Sequence, residues 1–269
     1  MITSRNNQQA RHVKRLLSDA GYRRREQLFA IEGARLCADA ALSGVKIRSL
    51  LYTPQAESAY PAQIALLKEK SESYLEISPE VSKSIGDTQS PQGVFCVCDL
   101  LDNRHGLDKI LGNKHPAVGY LALENIQDPS NLGAIVRTAE ALGISGLLLS
   151  EGCCDIYNPK VLRGSMGGVF RLPFYFVGNM ADAVQGLVGS GISCFAAVVG
   201  DGAVPVTKLE FPPGCVCVIG NEGSGLLPKT VSACSGKITI PMLGKAESLN
   251  AAMAAGIIMW EMARAVIRT

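Results

Sequence analysis

Three loops in the second half of this 269-residue chain concentrate residue types that bind or polarise a ligand. The first runs Glu124-Asn125-Ile126-Gln127-Asp128-Pro129-Ser130-Asn131-Leu132-Gly133 and leads into Ala134-Ile135-Val136-Arg137-Thr138-Ala139. An arginine just inside an otherwise apolar helix start, as Arg137 is here, usually meets a carboxylate or a phosphate. The second loop, Gly220-Asn221-Glu222-Gly223-Ser224-Gly225-Leu226-Leu227-Pro228, has three glycines that permit positive φ or close backbone approach to a ligand. It is neither G-x-G-x-x-G nor a P-loop, so a nucleotide held by backbone amides stays open. The third, Ile240-Pro241-Met242-Leu243-Gly244-Lys245-Ala246-Glu247-Ser248-Leu249-Asn250, opens the last helix. Taken singly, each loop also has a plain structural reading. Asn131 serves as an N-cap with Pro129 fixing the approach, and Ser248 or Asn250 serves as a cap worth about 1 kcal/mol.

The elements that must position these loops follow from periodicity. From residue 117, apolar strands without alternation are separated by helices, the pattern of a parallel sheet covered on both faces. Strands are expected at 118–123, 146–149, 174–177, 192–199, 215–219 and 237–241. Helices are expected at 133–142, near 159–166, 180–188 and 227–233, and at 248–267. Sites in such sheets form at the carboxyl ends of strands, where the three loops lie. Residues 1–100 read as a separate small α/β domain. Its helices are expected at 8–19 (stopped by Gly21), 33–42, 61–72 and 79–85, and its strands at 28–31, 48–52, 74–77 and 94–98. Polar residues 101–116 are the expected linker, and 117–269 the second domain.

Net charge is only +2, but its distribution is uneven. Residues 1–48 hold ten Lys/Arg against four Asp/Glu, a net +6, which leaves −4 for the remainder. A basic segment on a nearly neutral body suggests a polyanion partner, with a solvated helix face as the plain alternative. No apolar run reaches the roughly 18 residues of a membrane span, and the N-terminus lacks an apolar signal core. A cytoplasmic protein is expected. The nine cysteines include no C-x-x-C, and Cys96/Cys98 and Cys215/Cys217 recur with strand period, so buried free thiols are expected and no metal site.

Together the three loops resemble the three motifs of the SpoU (TrmH) branch of the SPOUT methyltransferases. Residues 128–139 match Asp/Asn-Pro-x-Asn-x-Gly-x-x-x-Arg-Thr-Ala throughout, Ile219–Gly225 matches the second motif, and Ile240–Met242 through Ser248–Asn250 the third. Asn158–Gly168 is also similar to the family, with Gly164 where alanine is more usual. The N-terminal half resembles the accessory RNA-binding domain of the ribosomal-RNA members through Ser4–Arg15, Arg23-Arg24-Arg25, Ile31-Glu32-Gly33 and Pro91-Gln92-Gly93-Val94.

The resemblance implies an α/β SPOUT domain with a C-terminal trefoil knot, a homodimer, and an N-terminal domain with the fold of a small ribosomal protein. It implies transfer of the methyl group of S-adenosylmethionine to a ribose 2′-hydroxyl, without a metal. Arg137 becomes the central catalytic residue, supported by Asn131, Glu222, Ser248 and Asn250. Val198, Gly200, Gly220, Ile240, Ser248 and Leu249 are expected at the cofactor. Arg11, Lys14, Arg23, Arg24, Arg25 and Arg163 are expected on RNA. Large-subunit (23S-type) ribosomal RNA is the expected substrate. Transfer RNA, or a non-catalytic RNA-binding role for the same fold, are the alternatives.

Overall fold

A computed structural model describes residues 1–101, 118–200 and 202–267. The expected linker, beyond Leu101, lies outside the described residues. Contacts divide the chain into two units. Residues 155–170, expected within the second domain, have their contacts with residues 1–101.

In unit 1 the elements run α1 (Gln8–Ser18), α2 (Ala20–Glu26), β1 (Leu28–Glu32), α3 (Ala34–Leu42), β2 (Ile47–Tyr52), α4 (Pro54–Ala59), α5 (Pro61–Lys70), β3 (Tyr74–Glu76), α6 (Pro79–Ile85) and β4 (Val94–Asp99). The strands form a mixed sheet in the order β1-β4-β2-β3, with β2–β3 the parallel pair. Ala10, Val13, Leu16 and Leu17 recur at helical spacing, so α1 buries one stripe against Ala30, Leu51, Phe95 and Val97 of the sheet. Asp19, not Gly21, separates the first two helices. It ends α1 in extended backbone, and its carboxylate accepts the Tyr22 N–H at 2.8 Å to start α2.

The 155–170 segment, with α8 (Pro159–Gly164), packs against β1 of this unit. Tyr157 is 1% exposed, its ring 4.7 Å from that of Phe29, and its hydroxyl accepts the Leu101 N–H at 2.6 Å. Arg23, 3% exposed, donates to the Leu16 carbonyl at 2.6 Å and pairs with Asp155 at 2.6 Å. Its expected place on RNA is therefore corrected: a guanidinium sealed beneath the surface cannot meet a phosphate. Arg23→Ala is expected to cost about 3–5 kcal/mol by leaving Asp155 without its partner. A denaturant midpoint close to wild type would contradict this.

Unit 2 carries β5 (Gly119–Leu123), α7 (Pro129–Ala141), β6 (Gly146–Ser150), β7 (Phe174–Val177), α10 (Met180–Gly189), β8 (Cys194–Ala197), β9 (Val204–Pro205), β10 (Cys215–Ile219), α11 (Pro228–Ala233), β11 (Gly236–Thr239) and α12 (Ala251–Ile267), after the short α9 (Gly168–Arg171) at the unit boundary. The seven strands lie in the order β7-β6-β5-β10-β8-β11-β9, every pairing parallel. Central strands β5, β6 and β10 are buried at every position, which is why their sequences lack alternation. All nine cysteines are free, with Cys96, Cys98, Cys215 and Cys217 buried. No helix among the described residues is long and apolar enough to cross a membrane.

Candidate active site

Asp128 caps α7, its carboxylate accepting the Ser130 N–H at 2.8 Å, and Pro129 takes the first helical position. The helix thus starts four residues before the expected 133, which corrects two readings. Asn131 is not the cap, and Arg137 lies in the third turn instead of near the positive end.

Asn131 joins the three loops. It is 6% exposed; its Nδ2 donates to Glu222 at 2.9 Å and its Oδ1 accepts from Asn250 Nδ2 at 2.8 Å. Asn250 in turn caps α12, accepting the N–H groups of Ala252 and Met253 at 2.9 and 3.3 Å. Glu222 also accepts the Gln127 and Asp128 N–H groups at 3.2 and 3.1 Å. Burial pushes the Glu222 carboxyl up, but the hydrogen bonds from Asn131 and the backbone outweigh it and leave its pKa below the ordinary carboxylate value. An ionised carboxylate with this many donors acts as an anchor and is a poor proton acceptor.

Two further anchors were not singled out from the sequence. Glu124, 2% exposed, accepts from the Leu227 N–H at 2.9 Å and the Thr230 hydroxyl at 2.6 Å. Asn221 donates to the Asn125 carbonyl at 2.8 Å, while its Oδ1 accepts from Gly223 N–H at 2.9 Å and Ser224 N–H at 3.0 Å. The available signal was a polar side chain at the end of an apolar strand, where only a bonded group is tolerated.

The tied loops enclose a cavity of about 410 Å³. Val198, Gly220, Ile240, Ser248 and Leu249, the residues expected at the cofactor, are among those that line it, joined by Ile219, Ile238 and Ile258. Gly200 is not among the lining residues, because the wall on that side ends at Val199. Gly220 is demanded by the loop itself: a Cβ there would sit 2.2 Å from the Gly225 carbonyl carbon and 2.3 Å from the Leu226 nitrogen. Residues 243–249, the Ser248 hydroxyl included, make no hydrogen bond to another described residue, so their donors and acceptors are available to a ligand. A cleft of this size with a mixed apolar and polar lining fits a nucleoside-bearing cofactor. Arg137 does not line the cavity. It stands exposed on α7 and makes no ion pair with a described residue.

Among the expected RNA-binding residues of unit 1, Arg11, Lys14, Arg24 and Arg25 are exposed. Arg15 and Arg25 lie 3.9 and 5.6 Å from the Tyr22 ring centroid, and Arg24 5.8 Å from that of Tyr157, so aromatic faces hold these cations at the surface. Arg163 is paired with Asp87 at 2.9 Å.

Residues 119–260 match the SpoU rRNA Methylase family, and residues 7–96 match the MRM3-like substrate binding domain. The chain is 27% identical over 261 residues to the 23S rRNA (guanosine(2553)-2′-O)-methyltransferase RlmP of Bacillus subtilis, covering 97% of this chain and 98% of the relative. It is 31% identical over 268 residues to the 23S rRNA (uridine(2479)-2′-O)-methyltransferase of Streptomyces viridochromogenes, covering 98% and 91%. A crystal structure of the SpoU methyltransferase AviRb from Streptomyces viridochromogenes in complex with the cofactor AdoMet is similar with a TM-score of 0.84 at 30% identity, covering 97% of this chain and 99% of that one. The parallel seven-stranded sheet, the cavity between its loops and a family match over more than half the sequence agree: the chain belongs to the SpoU rRNA methylase family.

Proposed function

We propose that this protein transfers the methyl group of S-adenosylmethionine to a ribose 2′-hydroxyl of large-subunit ribosomal RNA. The observation that carries this is the hydrogen-bonded bracket Glu222–Asn131–Asn250, which draws three loops round one cavity. The relatives named as 23S rRNA 2′-O-methyltransferases, matched along nearly their whole length, support ribosomal over transfer RNA. The test is tritium transfer from labelled cofactor into ribosomal and transfer RNA, followed by mapping of the 2′-O-methyl position. Label confined to transfer RNA would reverse the substrate assignment, and no label in either would refute the activity.

The bound cofactor supplies an activated methyl group, so the protein's own task is to hold and orient. Val198, Ile240 and Leu249 offer apolar surface, and the free backbone groups of 243–249 with the Ser248 hydroxyl offer polar partners. A guanidinium scarcely gives up its proton in proteins, so the Arg137 side chain is poorly suited to act as a literal base. Its planar fork is suited to clamping an RNA phosphate and orienting the adjacent 2′-oxygen. Asn131, Glu222 and Asn250 act as positioning residues through their mutual bonds. Gly220→Val is expected to force the loop open and weaken cofactor binding by roughly tenfold or more, with RNA affinity within about twofold. An unchanged cofactor Kd by calorimetry would contradict this.

Homodimerisation and the C-terminal knot complete the proposal. Met253, Trp260 and Ile267 recur every seven residues along α12, 62%, 49% and 58% exposed, an apolar stripe suited to a second copy. Sedimentation of a monomer at micromolar concentration would exclude the dimer. For the knot, the support is that β11 pairs beside β8 after β10 has been placed between β5 and β8, and a backbone trace from a crystal structure is its test. Nine free cysteines support a reducing, cytoplasmic setting. Recovery of the native protein with disulfides among them would argue against that setting.

A further inference from the structure

Unit 1 holds another cavity, of about 360 Å³, which the methyl-transfer chemistry does not use. Arg35, Leu36 and Asp39 on one face of α3 line it, with Gln92 ahead of β4 and with Arg163 and Met166 from the 155–170 segment. Its rim is fastened. Glu32, 8% exposed, accepts the Asp87 N–H at 2.7 Å and the Thr88 hydroxyl. Gln92 Oε1 accepts the Ala34 N–H at 2.9 Å, and Asp87 pairs with Arg163 at 2.9 Å. Met166 is held at φ 50°, a region a non-glycine residue leaves unless its surroundings impose it. Yet its side chain is 43% exposed, so the strained backbone presents an apolar group at the cavity instead of burying it.

The lining selects a type of ligand. Leu36 and Met166 offer an apolar surface, and the two guanidiniums offer flat cationic faces. Gln92 Nε2 and the Asp39 carboxylate offer a donor and acceptors. Arg35 is exposed and has no bonded partner among the described residues. Arg163 is already paired with Asp87, and Arg35 is set against Glu32 and Asp39, so the cavity has no excess positive charge to attract a bare phosphate. A flat neutral ring bearing both donors and acceptors satisfies every one of these groups, and the volume is in the range of small-ligand sites. Proteins that read single-stranded RNA splay bases out and stack them on such planes.

We propose that this cavity receives one unstacked nucleobase of the RNA that the protein methylates. The proposal rests on the reading of unit 1 as an RNA-binding module. A free nucleoside has the same chemistry. An RNA strand is favoured because the same unit exposes Arg11, Lys14, Arg24 and Arg25, which can neutralise phosphates of a bound strand.

The test compares full-length wild type with Leu36→Trp, Met166→Gly and Arg35→Ala. The measurements are affinity for large-subunit ribosomal RNA at fixed salt, cofactor Kd and melting temperature. Leu36→Trp fills the cavity. Met166→Gly removes the apolar surface while relaxing the backbone, so this variant is expected to fold. RNA binding should weaken by roughly tenfold in Leu36→Trp and severalfold in the other two, the scale of losing one stacked base, with cofactor Kd unchanged. If Leu36→Trp fails to fold, Met166→Gly decides. Wild-type RNA affinity in every folded variant would overturn the proposal. So would saturable binding of free adenosine, guanosine, cytidine or uridine that ribosomal RNA does not displace, since the occupant would then be a small molecule. Because the readout is binding, a wild-type protein that binds RNA without methylating it would refute the activity alone. One that binds no RNA would refute both.

Discussion

Arg137→Ala is expected to lower methyl transfer by roughly a hundred- to a thousandfold, the usual effect of losing a positioned electrostatic group. Cofactor affinity should stay within about twofold, since the side chain does not line the cofactor cavity. The expectation has a structural motive beyond the motif. Arg137 is exposed on a helix whose neighbouring positions are committed, with Asn131 bonded to two loops and Thr138 to the Ala134 carbonyl. An arginine with no partner among the described residues, beside a tied-down site, is available to an external anion. Lysine at this position should rescue only in part, because an ammonium lacks the planar fork. Single-turnover transfer with saturating cofactor is the measurement, and undiminished turnover in Arg137→Ala would remove the residue from the mechanism.

The other large effect concerns truncation. From the sequence alone, a fragment beginning near residue 116 should fold, dimerise and bind cofactor while losing most RNA affinity, because the strand–helix rhythm looks self-contained after the linker. The structure changes that expectation. Residues 155–170 have their partners in residues 1–101, and the fragment would strip cover from Ile156, Tyr157, Val161, Leu162 and Phe170, each 5% exposed or less. At about 1.5–3 kcal/mol per large apolar side chain, the exposed surface is comparable with the whole stability of a domain. Asp155 would also lose Arg23. Residues 118–269 expressed alone are expected to aggregate, or to bind a hydrophobic dye and melt without cooperativity. A soluble fragment with a sharp transition near the wild-type melting temperature would show that 155–170 folds without its N-terminal partners.

The sequence determined the elements of unit 2 because a buried parallel strand is a short apolar run and little else. β6, β7 and β10 lie within a residue of their expected spans. It also pointed to the loops that enclose the candidate cavity, because glycines, asparagines and acids at strand ends have few other uses. Helix starts were less legible. A proline follows the cap in α4, α5, α6, α7, α8 and α11, yet apolar periodicity shows neither α4 nor the first turn of α7. The signal there is a single residue, Thr53 or Asp128, whose hydroxyl or carboxylate, respectively, accepts one backbone N–H.

Tertiary structure alone decided what depends on distant partners. Arg23 and Arg24 are adjacent and chemically identical, but one is sealed against Asp155, 132 residues away, and the other is exposed. Gly220 reads as room for a ligand, and the fold shows that its own loop, five residues on, closes against it. Asn131 reads as a cap, and its bonds to Glu222 and Asn250, 91 and 119 residues later, make it the tie between loops. Composition and local spacing specify what a residue is able to bond. The partner it meets is set by how the sheet brings remote segments together, and no periodicity in the chain encodes that distance.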